Sequence, residues 1–236
     1  VDYQGSLTAL LNERNKGNLH KGPLMWCDLA DRRRPIALFR FKHAEGTKFA
    51  LQGFLENCAS LSAKPISAAV ISMAADIGHR LAERGTIGLV ALLRALRRPE
   101  LTHGLRRDRD LAADLERLDA LLEWILRFPA VWGLSEGNNP IDIARAVQLG
   151  GTIWLELSGE HFERVEHRIV SWMVDAALAS ALRVWQVEQE TKTRRRPAPT
   201  LVHAFPRVFP LTMACGEIEA KQIGIFPFSA REALPS

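Results

Sequence analysis

Thr152-Ile153-Trp154-Leu155-Glu156-Leu157 is the stretch on which the fold turns, a near-continuous apolar run preceded by Gly150-Gly151. A run of this kind reads as a strand buried on both faces, the usual state of a parallel sheet. Just upstream, Asn139-Pro140 reads as an N-cap and first helical residue, opening a short helix that runs through Gln148 and ends at the glycines. Downstream, a long helix starting near Glu160 places Phe162, Val165, Ile169, Trp172, Met173 and Ala176 on one face. Pro197 and Pro199 then lead into Thr200-Leu201-Val202-His203-Ala204-Phe205, and Ile223-Gly224-Ile225-Phe226 follows as a further strand. Strand, crossover, strand, crossover, strand predicts a parallel sheet with residues 152–157, 200–205 and 223–228 as neighbours.

The rest of the chain divides by period. Residues 1–60 read as β-rich: Leu24-Met25-Trp26-Cys27 and Ile36-Ala37-Leu38-Phe39 are short apolar runs joined by the charged turn Asp31-Arg32-Arg33-Arg34-Pro35. Residues 67–128 switch to helical period. Val70, Ile71, Ala74, Ile77 and Leu81 share one face, with Ser67 placed to cap the start and Gly85 to end it. Leu89, Leu92, Leu93 and Leu96 make a second stripe, and Leu111, Leu115, Leu118, Leu122 and Ile125 a third. The expected organisation is α/β, with residues 1–60 and 138–236 forming a sheet domain and residues 61–137 an all-helical insert that packs beside it.

Composition narrows the function classes. Of 236 residues, 47% are hydrophobic and 25% charged, which is ordinary for a globular chain and argues against wholesale disorder. The start, Val1-Asp2-Tyr3-Gln4, has neither the charged nor the apolar region of a signal peptide. Cys27, Cys58 and Cys215 are scattered with no CxxC spacing, which fits buried free thiols in a reducing, cytoplasmic compartment and excludes a thiolate zinc site. A net charge of +4 is compatible with nucleic acid or an acidic protein partner and selects neither.

From Asn138 onward the order of parts resembles the motor domain of the conjugative TraG-type coupling proteins and the HerA/FtsK-type P-loop ATPases. In that family a short helix leads to a strand, a long helix and a Pro-rich approach to the Walker B strand. Leu201-Val202-His203-Ala204-Phe205-Pro206 resembles that strand, and Val1-Asp2-Tyr3-Gln4-Gly5-Ser6-Leu7 resembles the strand and turn that follow the P-loop helix. The resemblance implies a mostly parallel sheet of P-loop ATPase type. It also exposes departures. No GxxxxGK[ST] occurs, and Glu45-Gly46-Thr47-Lys48 has the right residue types in the wrong order. His203 and Ala204 stand at the Walker B positions where two acids would hold Mg²⁺ and activate water, and neither can do so. Ser229, Ala230 and Arg231 occupy the region of the family's glutamine. The resemblance therefore implies an ATPase-like chain without catalytic, cofactor-binding or metal-binding residues. Such a chain serves as a structural or DNA-associated component of a DNA-processing or transfer complex. One alternative is a fragment of an active DNA-translocating ATPase with its P-loop upstream of Val1; another is an unrelated α/β protein-interaction module.

Other constellations have plain readings. Glu163 and His167 are four apart on the long helix, near Glu160, His161 and Glu166, and read as a charged first turn that lacks the further ligands a metal requires. His203 reads as a hydrogen-bonded core histidine. Arg32, Arg33 and Arg34, Arg106 and Arg107, and Lys192, Arg194, Arg195 and Arg196 are candidate contacts for phosphate, independent of sequence, or for an acidic protein partner. Of six tryptophans, Trp154, Trp172 and Trp185 fall on expected regular elements and read as core, Trp185 also as an interface anchor.

Overall fold

A computed structural model describes residues 24–29, 35–42, 44–148, 152–156, 163–191, 204–205 and 226–227. Its helices are α1 (Ala44–Ala59), α2 (Ala68–Ala82), α3 (Leu89–Leu96), α4 (Pro99–Arg106), α5 (Arg109–Ile125), α6 (Pro129–Glu136), α7 (Ile143–Gln148) and α8 (Arg164–Thr191). Its strands are β1 (Leu24–Asp28), β2 (Ile36–Ala37), β3 (Asn139–Pro140), β4 (Thr152–Glu156), β5 (Ala204–Phe205) and β6 (Phe226–Pro227).

The expected α/β architecture, a mostly parallel sheet of P-loop ATPase type, is overturned. Helices carry most of the described residues, and the described strands pair only two by two. The apolar run at Thr152 is a strand, but its partner is β1, in parallel register from Leu24 opposite Thr152 to Asp28 opposite Glu156. β2 pairs in parallel with β3 rather than with β1, and β5 pairs in parallel with β6. Asn139-Pro140, expected to open a helix, is strand β3, and α7 begins at Ile143 behind Asp142, whose Oδ1 accepts from the Arg145 N–H at 3.0 Å. Among the described residues the strand pairs run for two to five residues, too few to organise a domain, and the helices bury most of the core.

The largest departure lies in the expected β-rich segment 1–60, because its last quarter is α1. Thr47, Ala50, Leu51, Phe54, Leu55 and Cys58 recur at helical spacing and are all buried. α1 packs between α2 and α8. Gly46 lets it approach α8 closely, because a Cβ there would stand 2.5 Å from the Ser180 carbonyl oxygen. On α8, Ile169, Val170, Met173, Val174, Ala177, Ala181 and Val184 form the buried stripe. The helical stripes of the middle segment are buried as their period requires: Val70, Ile71, Ala74 and Ile77 on α2, Leu89, Leu92, Leu93 and Leu96 on α3, and Leu115, Leu118, Leu122 and Ile125 on α5. Each fully buried side chain of this size contributes about 1.5–3 kcal/mol relative to exposure.

Helix ends follow local chemistry where it is present and borrow it where it is absent. Ser67 caps α2 through its hydroxyl, and Asp108 caps α5 by accepting from the Asp110 and Leu111 N–H groups at 2.9 and 3.2 Å. α4 and α6 open on Pro99 and Pro129, whose missing N–H removes one unsatisfied donor. α3 has Gly88 before it and no cap of its own. Its Leu89 N–H donates instead to Ser135 Oγ at 2.7 Å and its Val90 N–H to Glu136 Oε1 at 3.2 Å, both from the end of α6. α6 in turn has its Ala130 N–H bound at 3.0 Å by Glu166 Oε1, a buried carboxylate on α8.

The segment 35–42 ties these layers together. The Phe39 N–H donates to the Leu134 carbonyl, Phe41 exchanges two backbone bonds with Ile87, and the Ile141 N–H donates to the Ala37 carbonyl, at 2.9 to 3.0 Å. The Phe39 ring meets those of Phe41 and Phe54 at 4.7 Å between centroids, so this segment is part of the core although it is scarcely strand.

Candidate functional site

The α5–α6 junction bends the chain back so that one wall of a cleft comes from Leu126, Arg127, Pro129 and Trp132, and the other from Leu29, Pro35 and Ile36. Gly133 makes the approach of the walls possible, since a Cβ there would lie 3.0 Å from the Pro35 Cβ. The cleft encloses about 320 Å³, the small end of the range of about 300–1,000 Å³ that ligand sites occupy. Trp132 stands on its edge. Trp132 is 51% exposed and Trp124 39% exposed, far from the burial usual for indoles. Trp124, near the end of α5, meets Phe128 edge to face at 5.2 Å.

Among the described residues that line the cleft, Arg127 is the one charged side chain. It is exposed and makes no ion pair among the described residues. Along α5, Asp119 and Glu123 hold Arg97 at 2.8 and 2.7 Å, and Asp114 holds Arg117 and the Ser67 N–H. Glu136 accepts from the Ser135 hydroxyl and Glu166 from Ala130. The Arg97 guanidinium is pushed above its ordinary range by its hydrogen bond to Asp119 first and by that to Glu123 next.

A second hollow, of about 30 Å³, lies between Arg40, Lys42, Asp142 and Ser180 and has room for about one water. It is too small for a ligand.

The residues singled out in the sequence do not converge on this cleft. Arg106 and Arg107 lie at the end of α4, where the Arg106 Nε–H donates to Thr102 Oγ1 at 2.9 Å. Arg32, Arg33, Arg34, Lys192, Arg194, Arg195, Arg196 and His203 lie outside the described residues, as does Cys215. Ala204 begins β5, opposite Phe226. Gly46, Thr47 and Lys48 sit inside α1, with Lys48 paired to Asp76 at 2.6 Å, so that phrase is helix packing and not a phosphate loop. Glu163 is exposed and His167 half-buried, and burial pushes the His167 imidazole below its ordinary value. No group of three His, Cys, Asp or Glu side chains among the described residues is placed to hold a metal ion. Burial likewise pushes the Cys27 thiol up to about 11 and the Cys58 thiol further, which makes both inert at neutral pH. Trp172 is partly buried with the Arg168 guanidinium 5.9 Å from its ring centre, and Trp185 is also partly buried.

Trp124 and Trp132 are the residues that reading the sequence missed. A signal was present for Trp124, which falls off the Leu115-Leu118-Leu122 stripe, beside Glu123 on the charged side of α5. A large aromatic there has no core to enter. Among the described residues no helix is long and apolar enough to cross a membrane. No family model, no curated protein and no solved structure matches this chain.

Proposed function

We propose that this chain is a non-catalytic binding subunit, working in the cytosol, that holds a protein partner through the cleft at the α5–α6 junction. The observation that carries this is Trp132, a tryptophan half in solvent on the edge of an apolar cleft. Exposed indoles beside apolar hollows are the common anchors of protein interfaces, because they bury much area while fixing few torsions. A stable interface covers roughly 800 Å² on each partner, so the cleft serves as the anchoring point of a larger contact. The helical frame suits that role. Its core is continuous from Leu38 and Phe39 through α1, α5 and α8, so the rim residues stand on rigid elements.

Panning a phage-displayed library of random dodecapeptides against the chain tests this. Enriched peptides are expected to lose about thirtyfold in affinity on Trp132→Ala, the loss of a hot-spot side chain worth about 2 kcal/mol. The variant should keep its urea midpoint, because the side chain is half exposed. Enrichment of peptides that bind Trp132→Ala as well as the parent chain would remove the cleft from the function. So would a short DNA duplex that quenches the tryptophan fluorescence and displaces every selected peptide.

A further inference from the structure

We infer that the segment this cleft takes is acidic and amphipathic: apolar anchors set into the hollow, with a carboxylate placed to meet Arg127. This rests on the cleft being the binding site. The specific ground is the imbalance of charge. Arg127 stands on the wall with no ion pair, while Asp119, Glu123, Asp114, Glu136 and Glu166 are each held by a cation or a backbone N–H. Among the described residues that line the cleft, a partner carboxylate therefore meets a cation and no anion, and a partner cation meets repulsion.

Two further features point the same way. The hollow is at the small end of ligand sites, which suits one or two aliphatic side chains and excludes a dinucleotide or haem. Among the described residues its lining gives a nucleic acid only Arg127 to neutralise phosphates, whereas duplex DNA needs many cations to be held at physiological salt. Arg127 follows the last turn of α5 and so complements the negative end of that helix. That contact is compatible with an ion pair to a partner, since a guanidinium presents five donors.

The decisive measurement is calorimetric titration of the full chain with three amphipathic peptides sharing one pattern of leucines. Their polar positions are all Glu, all Gln or all Lys. The Glu peptide is expected to bind about two- to fivefold more tightly than the Gln peptide, the scale of one exposed charge pair, and the Lys peptide more weakly still. Arg127→Glu should invert the order, and Trp132→Ala should weaken all three together. Equal affinity for the three, all lost on Trp132→Ala, overturns the acidic preference and leaves the cleft as the binding site. Binding of none of them, while library panning still yields peptides sensitive to Trp132→Ala, overturns the amphipathic occupant alone. Binding of none, with no such peptides from panning, overturns both. An order that Arg127→Glu leaves unchanged assigns the preference to other charges and also overturns the inference.

Discussion

Gly46 lies where α1 crosses α8, and the two helices are as close as they are because that residue has no side chain. A methyl group there would meet the backbone of Ser180, which cannot swing aside as a side-chain tip can. Gly46→Ala is therefore expected to destabilise the chain by about 1–3 kcal/mol, the range for overpacking a tight contact. Gly53 is the internal control, on the same helix with nothing within 4 Å of its missing Cβ. There the change to Ala should be neutral or stabilising by up to about 1 kcal/mol, since a helical glycine costs that much relative to alanine. Urea unfolding of the two variants checks the pair, and similar midpoints for both would show that the α1–α8 contact is looser than described. His167 carries a pH dependence. Its folded value lies below the ordinary 6.5 because burial disfavours the imidazolium. The unfolded chain thus binds the proton first as pH falls, so stability is full above about 6.5 and declines below it, by at most about 1.4 kcal/mol per pH unit for one proton. His167→Gln should flatten the urea midpoint between neutral and mildly acidic pH relative to the parent chain. Parallel profiles would mean that other groups set the acid limb.

At the scale of elements, the helices without caps of their own show how sequence-distant residues enter local structure. α3 begins on Gly88, and its first N–H groups are answered by Ser135 and Glu136, some 46 residues further along the chain. Ser135→Ala should cost about 0.5–2 kcal/mol, the usual loss for an N-cap. Hydrogen exchange should then quicken at the amide of Leu89, while the amides of α5 stay protected. Uniform loss of protection across the helices would show instead that Ser135 acts through the general stability of the fold. The stripes of α2, α3 and α5 were legible in the sequence because each helix shows its own period over eight residues or more. α1 was not, since Gly46, Gly53 and three charged residues dilute a stripe that becomes plain only once Thr47 and Cys58 are counted as apolar positions. The borrowed caps could not have been read at all, because nothing near Leu89 in sequence points to Ser135.

For the molecule as a whole, local sequence determined what could be settled within one or two turns of chain. It made residues 67–125 helical through recurring leucines, placed the Ser67 cap, and marked Thr152–Glu156 as a strand through its apolar run. These depend on backbone propensity and on side chains a few residues apart. Tertiary structure alone decided which surfaces met. An apolar strand declares that it will be buried and says nothing about its partner, so Thr152–Glu156 was free to pair with Leu24–Asp28, far upstream in the chain. The same holds for the cleft. Trp132 acquires meaning only because α6 sets it on the cleft's edge and because Pro35 closes against Gly133. Burial is a property of the residue, and the identity of the neighbour is a property of the fold, since long-range packing is chosen by the total area covered rather than by any one pair.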